Sequence, residues 1–365
     1  MEPRTSQQWA VKFRPEFVTL RRSMRGLSQV QLAEISGIAQ GTLSKVEQGL
    51  KPINEEILEK LAVALDCPTS FFCRGDRVFG APLSAHPMFR RAASVGQKAL
   101  DKLIAELNVR ILHLRVFLEN AEIEPELPFP SYDLDDFDGD PAEIARNVRR
   151  AWYVPSGPIP NLTEYAERAG CIVFMCDMGE VAVDGVSYRI SGLPPIVFLN
   201  QRRPADRLRF SLAHELGHLV MHLFPTPAME DEADQFASEL LMPAADIGPD
   251  LSNLSLDKAA YMKPFWRVSM AALIVRATTL GRIEKSKAQW LWRQMSAKNY
   301  RTKEPASLDF PREEPSVAKG LWENLIDTLA YSPEELQSAL SLYEQELLSL
   351  YNARPFGGLR LVKAV

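Results

Sequence analysis

The stretch Phe210-Ser-Leu-Ala-His214-Glu215-Leu-Gly-His218-Leu-Val-Met-His222 decides how the rest of this 365-residue chain is read. It sets His214, Glu215 and His218 in HExxH spacing and holds three of the chain's five histidines. Residues four apart on an α-helix lie on one face, a turn above each other, so His214 and His218 can close on a single metal ion. Neutral imidazoles suit zinc, and Glu215 projects from the same turn towards an open coordination position. There a carboxylate can take a proton from water that the metal has made acidic. The competing reading is a chance match on a buried amphipathic helix. Leu208, Leu212, Leu216, Leu219 and Val220 do supply an apolar face. That face would pack on a core while the polar triplet looks into a cleft.

Outward from this helix, Pro195-Ile-Val-Phe-Leu-Asn200 reads as a strand ending just before a helix start near Pro204. A strand along the cleft can pair with an extended peptide backbone, as a protease substrate requires. Catalytic zinc takes three protein ligands, so a third must follow the two histidines. Glu230-Asp-Glu-Ala-Asp234 lies a short loop beyond them. If a helix spans about 229–241, Glu230 and Asp234 share a face and Glu232 points away. Glu230 is therefore the expected third ligand, and Asp234 the acceptor that orients a ligand imidazole through its N–H. Glu232 is the fallback, because the helix phase rests on periodicity. His222 continues the i, i+4 series, but about 12 Å along the axis from His214, too far to share one ion. It is expected to be a packed surface histidine, with substrate orientation as the alternative.

Upstream, Asp140-Pro141 caps and opens a helix to about Trp152, and Asn161 to Ala169 makes another. Cys171-Ile-Val-Phe-Met-Cys176 has the composition of a buried strand, and Val181 to Ile190 that of a hairpin turning at Asp184-Gly185. Downstream, helices are expected over 282–300 and 314–352, with Ser332-Pro-Glu-Glu335 as a helix start and Pro311 to Pro315 as a break. Trp290 and Trp292 are core or interface anchors on this reading.

The first 80 residues have a different character. Helices are expected over about 13–25, 29–36, 40–48 and 54–65, broken at Gly26, Gly37 and Gly49. Ser28 with Gln31 forms a capping-box pair. Two short helices joined through a glycine, followed by more helix, describe a helix-turn-helix. A small helical bundle for dimerisation is the competing reading. Between the two regions, 92–122 reads as one long amphipathic helix, suited either to a homodimer or to packing on its own chain. Leu83 to Pro87 looks irregular. Glu122 to Pro141, with Asp133-Leu-Asp-Asp-Phe-Asp-Gly-Asp140, reads as an acidic linker; a calcium site is disfavoured because the EF-hand glutamate is missing.

The totals are compatible with this. The length predicts two or three domains, and 46% hydrophobic residues can fill their cores. A net charge of −5 excludes a uniformly basic nucleic-acid coat, although basic residues outnumber acidic ones in the first 80. No apolar run approaches the roughly 18 residues of a membrane span, and the polar N-terminus is unlike a signal peptide. Cys67, Cys73, Cys171 and Cys176 form no CxxC pair and read as reduced thiols, so a cytoplasmic protein without membrane partners is expected.

The N-terminal residues LSQVQLAEISGIAQGTLSKVEQGLKPI and ILEKLAVALD resemble the phage-repressor family of the Xre (Cro/C1) type. That resemblance implies binding to double-stranded operator DNA, with Gln40, Thr42 and Lys45 of the third helix at bases or nearby phosphates and Gln29 on the backbone. Gly41 departs from the family's usual side-chain-bearing position. VFLNQRRPADRLRFSLAHELGHLVMH and EDEADQFASELLMP resemble the ImmA/IrrE zinc metallopeptidases, a bacterial family whose best-known members cut Xre-type repressors. It includes fusions with an N-terminal Xre domain. The resemblance implies a multidomain chain: an all-α helix-turn-helix domain (1–80), a connector (81–139), an α+β zincin-like peptidase domain (140–250) and a helical C-terminal region (251–365). It implies a zinc endopeptidase with a gluzincin-like ligand set and Glu215 as catalytic base, acting on a repressor-type protein or on itself. The alternative is an Xre-type antitoxin or repressor whose zinc domain senses a signal or binds a cognate toxin without routine proteolysis.

Overall fold

The structure, a computed structural model, describes residues 13–82, 96–179, 181–351 and 353. Among the described residues, in chain order, four helices come first: α1 (Pro15–Met24), α2 (Gln29–Ser36), α3 (Gln40–Glu47) and α4 (Glu55–Leu65). A 3₁₀ turn at Thr69–Cys73 and the long α5 (Gln97–Glu119) follow. Next are α6 (Pro141–Ala151), α7 (Leu162–Arg168), β1 (Ile172–Cys176), β2 (Gly185–Tyr188) and β3 (Ile196–Asn200). Then come α8 (Ala205–Met221), α9 (Met229–Leu241), α10 (Ala244–Leu251), α11 (Leu256–Trp266), α12 (Met270–Thr279) and α13 (Lys285–Ala297). The described residues close with α14 (Val317–Glu323), α15 (Pro333–Leu340) and α16 (Glu344–Leu350). Among the described residues no helix is long and apolar enough to cross a membrane.

Two compact units result. One comprises Met1–Ala81, Arg91–Glu122 and Lys319–Val365, the other Pro82–Arg90 and Ile123–Ala318. In the first, Ser28 Oγ accepts from the Gln31 N–H while Gln31 Oε1 accepts from the Ser28 N–H, so α2 begins with both first-turn donors satisfied. Gly37 (φ +66°) then makes the left-handed turn that sets α3 across α2. Phe17, Leu32, Leu43, Leu61 and Phe71 fill the core beneath. The C-terminal helices complete this unit. His113 of α5 is buried between Leu340 O and the Tyr351 hydroxyl (2.9 and 2.8 Å), and Arg110 donates to Leu350 O. Arg21, fully buried on α1, donates through Nη1 and Nη2 to the Glu346 carboxylate at 2.6 Å each.

In the second unit the sheet order is β1-β3-β2, with β3 parallel to β1 (Phe174 opposite Phe198) and antiparallel to β2 (Ser187 opposite Val197). Helix α8 lies on β2 and β3, and α9 packs on α8. The approach of these two helices depends on Gly217. A Cβ there would stand 3.0 Å from Phe236 Cδ1, so only a residue without one lets α9 come so close. Buried charges behind them are paired: Glu239 with Arg276, Arg209 with Glu313, and Lys263 with Asp206 and Glu304.

The strand ending at Asn200 is not the sheet edge: β3 is central, with both sides occupied by β1 and β2, so it cannot pair with a substrate. No hairpin spans Val181 to Ile190. Gly185 opens β2 instead, where a Cβ would meet Glu215 Cγ at 3.1 Å, and the Asp184 carboxylate is held by Arg203 and Arg207. The acidic run is not a solvated linker. Leu127 is buried, Pro128 O accepts from Trp152 Nε1, and the Tyr132 N–H donates to Val220 O, so its flanks pack on the second unit. The last helices belong with the first unit rather than with a C-terminal region beginning at 251. The long helix is described from Gln97; Ala92 and the Leu83 to Pro87 stretch lie outside the described residues. Its apolar face packs on α1 and α15 of its own chain. Trp290 is 44% exposed, beneath Lys287, and is not a core residue.

Candidate functional site

Helix α8 carries His214 and His218 one turn apart, and their Nε2 atoms face each other at 3.0 Å. Helix α9 brings Glu230 to them. Its Oε1 lies 3.2 Å from His218 Nε2 and its Oε2 3.8 Å from His214 Nε2. Among the described residues, these three form the group of metal-ligating side chains whose ligand atoms all fall within 4.8 Å of one another. Zinc bonds of 2.0–2.2 Å in a tetrahedron require ligand atoms roughly 3.3–3.6 Å apart, and the three separations scatter around that value. Asp234, one turn beyond Glu230, accepts from His214 Nδ1 at 2.8 Å. That contact fixes the proton on Nδ1 and leaves the Nε2 lone pair turned inward. Two inward imidazole nitrogens and a carboxylate fit a divalent zinc ion. Burial disfavours a charged His214, but the Asp234 hydrogen bond and the charges of Glu215, Asp234 and Glu230 outweigh it and raise its pKa. The local field is one that attracts a cation.

Glu215 points from α8 towards β2. It is buried, and its Oε2 accepts a 2.6 Å hydrogen bond from the Ser187 hydroxyl. Gly185, two residues earlier on β2, leaves room for the Glu215 side chain. No local sequence signal singled out Ser187. A serine facing the HExxH glutamate from the neighbouring strand is visible only once β2 is known to pack on α8.

His222 is placed differently from expectation. It is buried rather than at the surface, and its Nδ1 lies 2.9 Å from His218 Nδ1. Its Nε2 faces Glu232 Oε2 at 3.0 Å. Glu232, the fallback ligand, is thus engaged with His222 and not with the three-residue cluster. Burial and the adjacent His218 ring keep His222 below the ordinary histidine range, with Glu232 opposing them.

In the first unit, Gln40 begins α3 and donates to Gln29 Oε1 (3.2 Å), and Gln29 Nε2 donates to Glu47 Oε2 (2.7 Å). Glu47 is in turn gripped by Arg22 at 2.6 and 2.9 Å. Four side chains therefore lock α1, α2 and α3 together at the face that carries Gln29 and Gln40. Lys45 is exposed one turn further and Thr42 half-buried. Gly41 has nothing within 4 Å of where a Cβ would stand, so the start of α3 is open there. Arg22 and Glu47 were not singled out by the sequence, because their pairing spans 25 residues and two helices.

Residues 19–72 match the family model described as Helix-turn-helix, and residues 166–278 that of the IrrE N-terminal-like domain. The chain joins an Xre-type helix-turn-helix domain to an ImmA/IrrE-like domain. The second match runs from α7 through α12, and so contains the sheet, the two histidines and Glu230. The first covers α1 to α4 and supports DNA binding; the second supports a metallopeptidase-like domain. A comparison with curated proteins finds no match.

Proposed function

We propose that the chain is a DNA-binding regulator with a zinc-dependent endopeptidase domain that cleaves a repressor-type protein, or the chain itself. The observation that carries this reading is the convergence of His214, His218 and Glu230 beside a buried Glu215. His214 Nε2, His218 Nε2 and the Glu230 carboxylate would hold the zinc ion. When bound, zinc would polarise the scissile carbonyl and make water a usable nucleophile at neutral pH. Glu215 is assigned as general base: Ser187 holds Oε2, so Oε1 is the atom that takes the proton from water and returns it to the leaving amine. A structural zinc site would need neither the base nor the serine that holds it. Of the sheet's outer strands, β2 is the one beside Glu215, and we place an extended substrate along that side.

Gln29, Gln40, Thr42 and Lys45 are assigned to operator DNA, with the Gln29–Glu47–Arg22 chain holding α3 at a fixed angle. A bacterial cytoplasmic location fits the buried thiols of Cys67 and Cys171. The deciding experiment co-expresses the chain with the repressor-like product of a neighbouring gene and follows both by mass spectrometry. Wild type should cut the partner or itself, and Glu215→Gln should abolish the cut while retaining zinc. Intact proteins with wild type, together with normal promoter repression by Glu215→Gln, would favour a non-proteolytic regulator or antitoxin. Gln40→Ala with Lys45→Ala should weaken binding to the chain's own promoter; unchanged binding refutes the groove assignment.

A further inference from the structure

The hydrogen bonds outside the three-residue cluster run in one direction only. The Glu232 carboxylate oxygen accepts, so the 3.0 Å contact at Oε2 puts the His222 proton on Nε2. A neutral His222 then has only a lone pair on Nδ1. The 2.9 Å contact between the two Nδ1 atoms is therefore satisfied only if His218 donates its Nδ1–H. That leaves His218 Nε2 as a lone pair, facing His214 Nε2 and Glu230. Tautomer and ring orientation are fixed over two successive links, starting from a carboxylate on α9 and ending at the metal-facing nitrogen on α8.

We propose that His222 and Glu232 are positioning residues for zinc, a relay that presets His218 as an Nε2 ligand; this rests on the zinc reading above. Its counterpart on His214 is the single contact to Asp234. The two ligand histidines are thus oriented from opposite sides, His214 by a carboxylate 60% exposed and His218 by a relay whose histidine is 4% exposed. Losing a group that orients a metal-bound histidine typically costs about 10–100-fold in metal affinity. Because the two relay members act in series, removing both should cost no more than removing one.

The test is zinc affinity of the full-length chain by chelator competition, with zinc alone as probe. Glu232→Ala and His222→Leu should each weaken zinc by about 10–100-fold, and the double variant by the same amount. His222→Gln can accept from His218 through its carbonyl and donate to Glu232 through its amide, so it should stay within about threefold of wild type. Asp231→Ala removes a neighbouring exposed charge from α9 without touching His222, and should change little. Circular dichroism and thermal unfolding of each variant separate misfolding from lost positioning. Glu232 lies at the edge of the buried layer, so its truncation does not open the core. The relay is overturned if both single variants keep wild-type affinity, if their losses add, if His222→Gln is as weak as His222→Leu, or if Asp231→Ala matches Glu232→Ala. Wild type that binds no zinc overturns the metal reading itself, which is a different result.

Discussion

Glu346→Gln tests whether the C-terminal helices are a structural part of the helix-turn-helix unit. Arg21 is fully buried and meets Glu346 through two 2.6 Å hydrogen bonds. It also donates to Leu65 O and Asp66 O, at 3.1 and 2.6 Å. Burial works against the charged guanidinium, but Glu346 outweighs it, and the Arg21 pKa is raised. Breaking a fully buried pair costs about 3–5 kcal/mol, because an uncompensated charge stays behind. Glu346 is 21% exposed and Arg21 keeps its two carbonyls, so about 2–3 kcal/mol is expected. Against a typical stability of about 5–15 kcal/mol, that is a large share. Urea unfolding of the full chain, with hydrogen exchange to locate the affected amides, should show the loss in α1, α4 and α16. Replacing both partners by methionine should be milder than the single change, because no charge is then left unpaired. A Glu346→Gln chain within about 0.5 kcal/mol of wild type would refute the idea that this contact ties the C-terminus to α1.

Three further outcomes are expected. Ser187→Ala removes a hydrogen bond to a charged carboxylate, worth about 1.5–3 kcal/mol, and should lower kcat by roughly ten- to hundredfold with zinc content unchanged; unaltered kcat removes Ser187 from the site. Burial first, then the nearby Arg74, hold His113 well below the usual histidine range, so it is neutral when folded. The unfolded chain binds the extra proton below about pH 6.5, so stability is full above that pH and falls by at most about 1.4 kcal/mol per pH unit beneath it. Urea midpoints of wild type should decline from pH 7 to 5 more steeply than those of His113→Gln, and equal slopes would exclude His113. Gly217→Ala pushes a Cβ against Phe236 and should destabilise the second unit by about 1–3 kcal/mol while weakening zinc; a neutral change in both readouts means α9 does not depend on that close approach.

Much of this architecture was legible because local chemistry sets it. Ser28 with Gln31, Gly37, and Asp140 before Pro141 each mark a helix end by a satisfied or missing backbone donor, and the helices begin and end there. Met229–Leu241 followed from periodicity alone, and its phase put Glu230 and Asp234 on the face that meets α8. The strand order was not legible, since three short segments of similar length carry no signal for which is central. Asp184-Gly185 gave a turn signal, but the glycine is there for the close approach of Glu215. The acidic run hid the anchors at Leu127 and Tyr132, whose packing depends on a partner surface that periodicity cannot see. His222 was misjudged for the same reason: its burial depends on a contact to Glu232 on a second helix. Arg21 and Glu346, 325 residues apart, are the extreme case.

The most direct measurement is the zinc content of the full-length chain, purified without chelators and quantified by atomic emission. One zinc per chain is expected in wild type and in Glu215→Gln, and a loss in His214→Ala, His218→Ala and Glu230→Ala. Zinc-free wild type, or one zinc retained when Glu230 is replaced, would contradict the site built on α8 and α9.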